Sequence, residues 1–278
     1  MGWFGPVGGE PDIITRGVRP LEYPPMRCLA LAVLIAGLTV APAFADGKKV
    51  TVRWFGQSYF QVVTSAGTRV VFDPHLIVSY PRAIVPADLV LITHPHQDHN
   101  QVGAIENREK AKFLHGIKKD GKKLDWNEID EKFQDVKVTS VPLYHDKMMG
   151  LQRGKNTGFV VEIDGLRFVH LGDLGHELTE GQVKAIGPVD VLMIPIGGIY
   201  TINGEEAKKV VAQLKPRRYV LPMHYGTKDF DELLGPDEFL DELKNVQKQP
   251  TTNEFTFDPE AKAPADPVVL LLGWKKAE

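Results

Sequence analysis

The chain has 278 residues, of which 43% are hydrophobic and 25% charged, and its formal net charge at pH 7 is −3. These proportions are ordinary for a folded globular protein with one large or two small domains and a sizeable core. The negative charge, without any arginine-rich or aromatic-interleaved stretch, argues against nucleic acid as a partner.

The first stretch, residues 1–25, is rich in glycine and proline and shows no hydrophobic periodicity. Such a composition predicts an unstructured extension, because the segment has too few apolar side chains to form a core. Met26 stands where a second start codon would place a first residue, so residues 1–25 are alternatively a mis-called start.

Residues 26–45 have the layout of a secretory signal peptide. Arg27 gives a basic start, residues 29–40 form an apolar run, and Ala43–Ala45 supply an A-x-A cleavage site. The run is shorter than the roughly 20 residues that cross a bilayer, so we expect contact with a membrane only through this segment. Cleavage after the last alanine would make the protein periplasmic or secreted, with no disulfide because Cys28 is the only cysteine. The weaker alternative is a buried apolar helix of a cytosolic protein.

The remainder, residues 46–278, is predicted to form one domain of strands followed by strands alternating with helices. Runs rich in β-branched and aromatic residues predict ten strands, at residues 50–55, 58–64, 69–73, 88–93, 136–142, 157–163, 167–171, 189–195, 218–223 and 268–273. Helical periodicity predicts helices at residues 178–187, 204–215 and 235–246. The lysine-rich residues 117–123 are expected to be a solvated loop. This order of elements favours an α/β layered domain.

The heptapeptide THPHQDH, Thr93–His99, follows a predicted strand and contains three imidazoles and one carboxylate. In an extended segment residues i and i+2 point to the same side, so His94 and His96 can reach one metal ion. Asp98 and His99 follow the bend and are free to face a second ion. Histidine with aspartate suits zinc, manganese or iron, so the spacing H-x-H-x-D-H predicts a metal site.

Three further residues of ligand type end predicted strands: His145, Asp173 and His224. Each one alone is more simply a loop or turn residue. Taken together, at strand ends where scaffolds carry functional side chains, they favour completion of the metal site.

These motifs, over about residues 50–273, resemble the pattern of the metallo-β-lactamase superfamily. The resemblance implies a four-layer αββα sandwich with two divalent metal ions, zinc or manganese, at one edge of its two sheets. It implies one metal bound by His94, His96 and His145, another bound by Asp98, His99 and His224, and Asp173 bridging the two. A bridging water or hydroxide would be the nucleophile, with Asp98 orienting it or carrying its proton. The implied activity is hydrolysis of a small-molecule ester.

A second region narrows the resemblance to one branch of metal-dependent hydrolases, which includes the ascorbate-6-phosphate lactonase-like proteins. In that branch a Gly-Gly-x-Tyr/Phe-Thr loop precedes a helix with Glu-Ala and the last metal histidine. The matching residues are Gly197, Gly198, Tyr200, Thr201, Glu206, Ala207 and His224. Two departures are Pro95, where a small residue is usual, and Gln57, where a histidine is common. The substrate class implied is a phosphoester or a lactone-type ester.

Two rival functions stay open at this point. A mononuclear iron dioxygenase acting on persulfides shares the fold and the first motif, and would leave the second site empty. A non-catalytic periplasmic metal-binding protein would keep the ligands without turnover.

Other residues have weaker predicted roles. Asp73 ends a strand and is expected to orient a ligating histidine or to make a turn, in equal measure. His170 is expected to be packed or to support the ligands. We expect surface or rim positions for His75, His115 and His176. Aromatic packing is the default for Tyr144, Tyr200 and Tyr225, which are also candidates for lining a substrate pocket.

Overall fold

The computed structural model describes residues 17, 21–22, 47–228 and 230–274. The chain separates into two compact units, residues 1–45 and 46–278. In the first unit the three described residues belong to no helix or strand, and the predicted signal peptide at 26–45 lies outside the described residues. Within the described part of the chain, the helices are all too short or too polar to cross a membrane.

The described residues of the second unit form sixteen strands, three α-helices and one short 3₁₀ helix. The strands are β1 (Val50–Trp54), β2 (Phe60–Val63), β3 (Arg69–Phe72), β4 (Leu89–Ile92), β5 (Lys112–His115), β6 (Ile117–Asp120), β7 (Lys123–Trp126), β8 (Asp130–Phe133), β9 (Val136–Tyr144), β10 (Lys155–Ile163), β11 (Leu166–His170), β12 (Val191–Pro195), β13 (Tyr219–Met223), β14 (Val246–Gln249), β15 (Glu254–Phe257) and β16 (Val268–Leu272). The helices are α1 (Glu180–Ile186), α2 (Gly204–Leu214), α3 (Asp237–Leu240) and the 3₁₀ helix Val102–Ala104.

The strands form two large mixed sheets and one hairpin. The first sheet has six strands in the order β15-β1-β2-β3-β4-β5, and the second has eight in the order β14-β16-β13-β12-β11-β10-β9-β8. Strands β3, β4 and β5 run parallel, as do β11, β12, β13 and β16. Parallel neighbours end at the same edge of a sheet, so residues that follow these strands converge there.

The main core fills the space between the two sheets. Trp54 and Phe72 of the first sheet and Phe159, Phe168 and Leu192 of the second belong to one cluster of buried apolar side chains. Helix α2 adds its buried face, and α1 packs against β9. The burial explains the composition of β12 and β16, which are apolar throughout because both of their faces are covered.

A smaller cluster lies on the other face of the first sheet. Val71, Val90 and Ile92 of the sheet pack there with Ala104 and Ile105 of the 3₁₀ helix and its flank. The layer that covers the first sheet, within the described residues, is therefore made by a loop and a 3₁₀ turn, while α-helices pack with the second sheet. The α/β sandwich expected from the sequence is confirmed.

Each of the ten predicted strands overlaps a strand of the structure. The predicted helix at 235–246 is wrong beyond its first turn, because α3 ends at Leu240 and residues 246–249 instead pair with β16. Glu242 has φ 65°, a left-handed conformation that breaks a helix. The predicted loop at 117–123 is also wrong: it forms the hairpin β6–β7, which turns through Gly121 at φ 58°.

Candidate metal centre

All seven predicted ligands lie together at one edge of the two sheets. His94 to His99 follow β4 of the first sheet, and His145, Asp173 and His224 follow β9, β11 and β13 of the second. Strand β9 is antiparallel to β10, which is antiparallel to β11, so these ends share an edge as parallel strands do. The site therefore spans the two sheets.

The ligand-type atoms form two adjoining groups. His94, His96 and His145 make one group, and Asp98, His99, Asp173 and His224 make the other, with the candidate atoms of each group within 4.8 Å of one another. These are the two sets that the family resemblance implies. A third group, Asp73 with His94 and His99, shares two histidines with them.

Asp173 occupies the centre of the cluster. Its Oδ2 atom lies 3.1 Å from Nε2 of His145, 3.2 Å from Nε2 of His99 and 3.1 Å from Nε2 of His224. The Nε2 atom of His94 is 3.8 Å away. One carboxylate oxygen thus faces imidazoles from both groups, as a bridging ligand would.

The donor set fits metal ions. Nε2 of His99 and Oδ1 of Asp173 are buried and have no hydrogen-bond partner among the described residues. An unpaired polar atom in the interior is costly unless it binds a metal or water. Neutral imidazoles with carboxylates are ligands that zinc and manganese accept.

Asp73, at the end of β3, orients two of these histidines. Its Oδ2 accepts a hydrogen bond from Nδ1 of His99 at 2.9 Å and another from the Thr93 hydroxyl at 2.6 Å. The Thr93 oxygen in turn lies 2.9 Å from Nδ1 of His94. The Nδ1 proton of each ring is used in these bonds, so Nε2 is the nitrogen that faces the cluster and can bind a metal. Asp73 therefore orients His94 and His99, and the group that these three residues form supports the two groups of ligand-type atoms.

The electrostatic balance of the cluster keeps its carboxylates ionised. Burial favours the neutral form of Asp173, but His224, His99 and His145 outweigh it and hold the pKa of Asp173 well below its usual range. In the same way, His99 overcomes the burial of Asp98 and lowers the pKa of that carboxyl. Both side chains are thus anionic acceptors at neutral pH.

The histidines divide into two kinds. Burial, and then the neighbouring His99, lower the pKa of His94 well below its usual value, and burial with His145 lowers that of His96. Burial acts in the same direction on His99, but Asp173, Asp73 and Asp98 outweigh it and raise the pKa of that ring. The neutral rings of His94 and His96 are the form that binds a metal.

Gln57 supports the site in a way that the sequence did not indicate. Its side-chain amide donates to Oδ2 of Asp98 at 3.2 Å, and its carbonyl oxygen accepts the backbone N–H of His224 at 3.1 Å. Gln57, Asp73 and His224 have φ values of 47°, 41° and 50°. Such left-handed backbone in residues other than glycine is uncommon and collects at functional sites.

Two glycines let the chain pass close to the ligands. A Cβ atom on Gly197 would lie 2.2 Å from the carbonyl oxygen of His224, and one on Gly175 would lie 2.4 Å from the carbonyl carbon of His145. Side chains are therefore excluded from both positions. For Gly197 this close approach explains in part why the predicted Gly-Gly-x-Tyr/Phe-Thr loop begins with a glycine.

The remaining predicted residues have mixed outcomes. The surface position predicted for His75 is wrong: the ring is 3% exposed, contacts the Tyr59 ring edge-on, and has Nε2 3.1 Å from the carbonyl oxygen of Gly56. His115 is exposed and His176 is partly exposed, as predicted. His170 is fully buried, as expected of a packed residue.

A cavity of about 500 Å³ opens beside the cluster at His145, between residues 146–153 and 198–201. Tyr200 lines it, as the sequence suggested. Tyr225 stacks on Trp54 with ring centroids 5.3 Å apart and faces a second cavity, of about 700 Å³. The first cavity is the one that a molecule bound at the cluster would occupy.

Comparisons with known proteins identify the family of this chain. The model of the family described as "Beta-lactamase superfamily domain" matches residues 51–224. A UPF0173 metal-dependent hydrolase of Thermococcus onnurineus is 34% identical over 214 residues, which are 67% of this chain and 92% of the relative. The corresponding protein of Pyrococcus furiosus is 31% identical over 215 residues, with the same two coverages.

A solved structure from Thermotoga maritima, named as a candidate zinc-dependent hydrolase of the metallo-beta-lactamase superfamily, is 30% identical with a TM-score of 0.59. The similarity covers 80% of this chain and 97% of that one. The family match, the relatives and the His/Asp cluster lead to one conclusion: the chain belongs to the metallo-beta-lactamase superfamily, in the UPF0173 family of metal-dependent hydrolases.

Proposed function

We propose that this protein is a dinuclear hydrolase that cleaves a phosphoester or a lactone-type ester, as the ascorbate-6-phosphate lactonase-like proteins are expected to do. The observation that carries the proposal is the position of Asp173, whose Oδ2 atom lies within 3.2 Å of Nε2 in three histidines of the two groups. A shared carboxylate of this kind suits two metal ions about 3.5 to 4 Å apart.

Two divalent ions would be held by His94, His96 and His145 on one side, by Asp98, His99 and His224 on the other, and by Asp173 between them. When bound, such a pair lowers the pKa of water so that hydroxide is available at neutral pH, and neutralises the charge that develops on the ester. The zinc named for the Thermotoga maritima structure supports zinc here, and manganese fits the same donors.

The protein's own residues position the reacting groups. Asp98 is ionised and its side chain is 37% exposed, so its carboxylate can orient a nucleophilic water or accept its proton. The side-chain amide of Gln57 donates to Oδ2 of this carboxylate and holds it in place. Asp73 and Thr93 keep the rings of two histidines in the tautomer that presents Nε2.

Metal content tests the proposal first. The full chain, purified without chelator or nickel affinity resin, is expected to carry about two zinc or manganese ions by elemental mass spectrometry. His94→Ala and Asp173→Ala should lose metal and lose hydrolysis of a phosphodiester or lactone panel. His115→Ala is the matched control, since this exposed histidine lies outside the cluster and its loss should change neither result.

One iron per chain with oxygen consumption on a persulfide would overturn the proposal in favour of a dioxygenase. Full metal loading without turnover on any ester would favour a binding protein.

We also propose export through residues 26–45. The support is the order of Arg27, the apolar run and Ala43–Ala45 in the sequence. N-terminal sequencing of the protein from cell fractions is expected to find a chain that begins at Asp46 outside the cytoplasm. An uncleaved chain in the cytoplasm would contradict it.

A further inference from the structure

The cavity beside His145 lies between two walls whose side chains and hydrogen bonds indicate what it could bind. Residues 146–153 form one wall, and residues 198–201, before α2, form the other. Because the cavity opens at a predicted metal ligand, the inference below rests on the proposed hydrolase. It concerns the part of the substrate that lies away from the reacting bond.

The first wall is held rigid by a single carboxylate. Asp146, 6% exposed, accepts backbone N–H groups from four residues of its own loop. Its two oxygens bind the amides of Met148 at 2.7 Å, Gly150 at 3.0 Å, Gln152 at 3.1 Å and Arg153 at 2.8 Å. The backbone of this loop is therefore held in one conformation, which reduces the entropy lost when a ligand binds.

The cavity has one cation without an acidic partner. The guanidinium of Arg153 lies 4.5 Å from the centroid of the Tyr200 ring and donates to the carbonyl oxygen of Ile199 at 3.4 Å. No ion pair joins it to any residue in the described part of the chain, whereas Lys147 on the same loop pairs with Glu206. A guanidinium stacked on a ring keeps in-plane N–H donors for a carboxylate or a phosphate.

The mouth of the same cavity is apolar. Met148, Ile199 and Leu234 line it and are 51%, 55% and 49% exposed. Met149 and Leu151, on the rigid loop, are 71% and 80% exposed. Exposed large apolar side chains gathered at and beside one opening are a feature of ligand-binding surfaces, since water contact gives them no stabilisation.

We propose that this cavity binds an anionic amphiphile: a substrate whose carboxylate or phosphate group is held by Arg153 and whose hydrocarbon part lies on Met148, Ile199 and Leu234. The Tyr200 ring joins the two regions, because it stacks on the guanidinium and also borders the apolar mouth. Arg153 is thus a specificity-determining residue.

Calorimetric titration of the full, metal-loaded chain with octyl phosphate, butyl phosphate and octanoate below their micelle concentrations tests this assignment. Octyl phosphate is expected to bind about tenfold more tightly than butyl phosphate, since part of four extra methylenes is buried. Arg153→Gln keeps a side chain of polar character without charge and should weaken octyl phosphate about tenfold or more. Comparison with octanoate tells whether the phosphate or the carboxylate is preferred.

Two further variants separate the charge from the apolar mouth. Met148→Ser with Ile199→Ser should bring octyl and butyl phosphate to affinities within about twofold while butyl phosphate itself is unchanged. Arg108→Gln makes the same chemical change at an exposed arginine outside this cavity, so it is the matched control and should leave octyl phosphate within about twofold. Metal content and thermal unfolding of each variant show that the fold and cluster are intact.

Arg153→Gln affinities equal to wild type would overturn the inference, as would equal affinity of wild type for octyl and butyl phosphate. If octyl phosphate binds as expected and the metal-loaded chain hydrolyses no ester, the amphiphile site stands and the proposed hydrolase falls. If esters are hydrolysed by wild type and Arg153→Gln alike, whatever their charge and chain length, the hydrolase stands and this site falls.

Discussion

Replacing Asp73 by asparagine should reverse the tautomer of two histidines of the cluster, His94 and His99. The carboxylate is fully buried and accepts hydrogen bonds from the Thr93 amide at 2.7 Å, the Thr93 hydroxyl at 2.6 Å and Nδ1 of His99 at 2.9 Å. Asparagine has the same shape but offers one oxygen and one NH₂ group, so it cannot accept all three. Its NH₂ group would donate to His99 and to the Thr93 oxygen, which would then donate to His94.

The expected loss of metal affinity follows from the positions of the imidazole hydrogens. Donation to Nδ1 of His94 and of His99 favours the tautomer with a proton on Nε2, the atom that faces the cluster. Loss of an outer partner of a metal ligand typically costs about 10–100-fold in metal affinity, and here one histidine of each group is affected. The metal-free protein should lose about 1–3 kcal/mol of unfolding free energy, since a hydrogen bond to an ionised acceptor is replaced by a poorer one.

Competition with a chromophoric chelator measures zinc affinity, and long-range proton–nitrogen NMR of the imidazoles reports the tautomers. Asp88→Asn is the matched control, because Asp88 also accepts three hydrogen bonds, all from Arg69, and stands before β4 at its other end. It should change stability and leave zinc affinity unchanged. Zinc affinity of Asp73→Asn within about threefold of wild type would refute the reasoning.

Three further predictions concern neighbouring positions. Gln57→Leu removes the amide that holds Asp98, so kcat should fall about tenfold with metal content retained; an unchanged kcat would contradict the role. Gly197→Ala places a methyl group 2.2 Å from the backbone oxygen of His224, and denaturant unfolding should show a loss of about 3 kcal/mol or more, against a loss near zero if the backbone can shift freely. Burial lowers the pKa of His75 to about 4, below the 6.5 of an unfolded chain. Between these two values the unfolded state binds a proton that the folded state does not, so the free energy of unfolding decreases as pH falls from 6.5 to 4. Compared with His75→Gln across that window, wild type should lose up to about 3 kcal/mol of unfolding free energy, and parallel pH curves for the two proteins would show the reasoning wrong.

The metal cluster was predictable because its residues carry local signals. Histidines two apart at the end of an apolar strand predict a shared direction, and the positions of His145, Asp173 and His224 after strands predict a shared edge. Neither argument needs the distance between the sheets. Asp164–Gly165, between β10 and β11, also carries a local signal, because Asp-Gly favours a two-residue hairpin turn, and the two residues have φ 50° and 77°.

The support around the cluster was not predictable in the same way. Gln57 matters through its left-handed backbone and its contact with Asp98, 41 positions later in the chain, and neither is encoded in its neighbours. Asp146 immediately follows His145, and an aspartate that starts a turn can accept backbone amides of its own loop. This was the only local indication of the support around the cluster. The helix predicted at 235–246 failed beyond Leu240 because Glu242 adopts a left-handed conformation and the strand that pairs with β16 begins at Val246, its last residue.

The buried histidine of β11, His170, fixes the position of one sheet relative to the other, on which the geometry of this site depends. His170 belongs to the second sheet, yet its Nε2 donates at 3.0 Å to the carbonyl oxygen of Ser58, in the turn between β1 and β2 of the first sheet. Its ring stacks on Phe72 of β3 with centroids 5.1 Å apart. Its Nδ1 accepts the backbone N–H of Gly172 at 3.1 Å, so a neutral ring satisfies both nitrogens. Apolar packing alone tolerates sliding of one sheet on the other, whereas this directional bond does not. Because Asp173 follows three residues after His170, the bond fixes the central carboxylate of the cluster relative to the histidines that follow β4 of the first sheet.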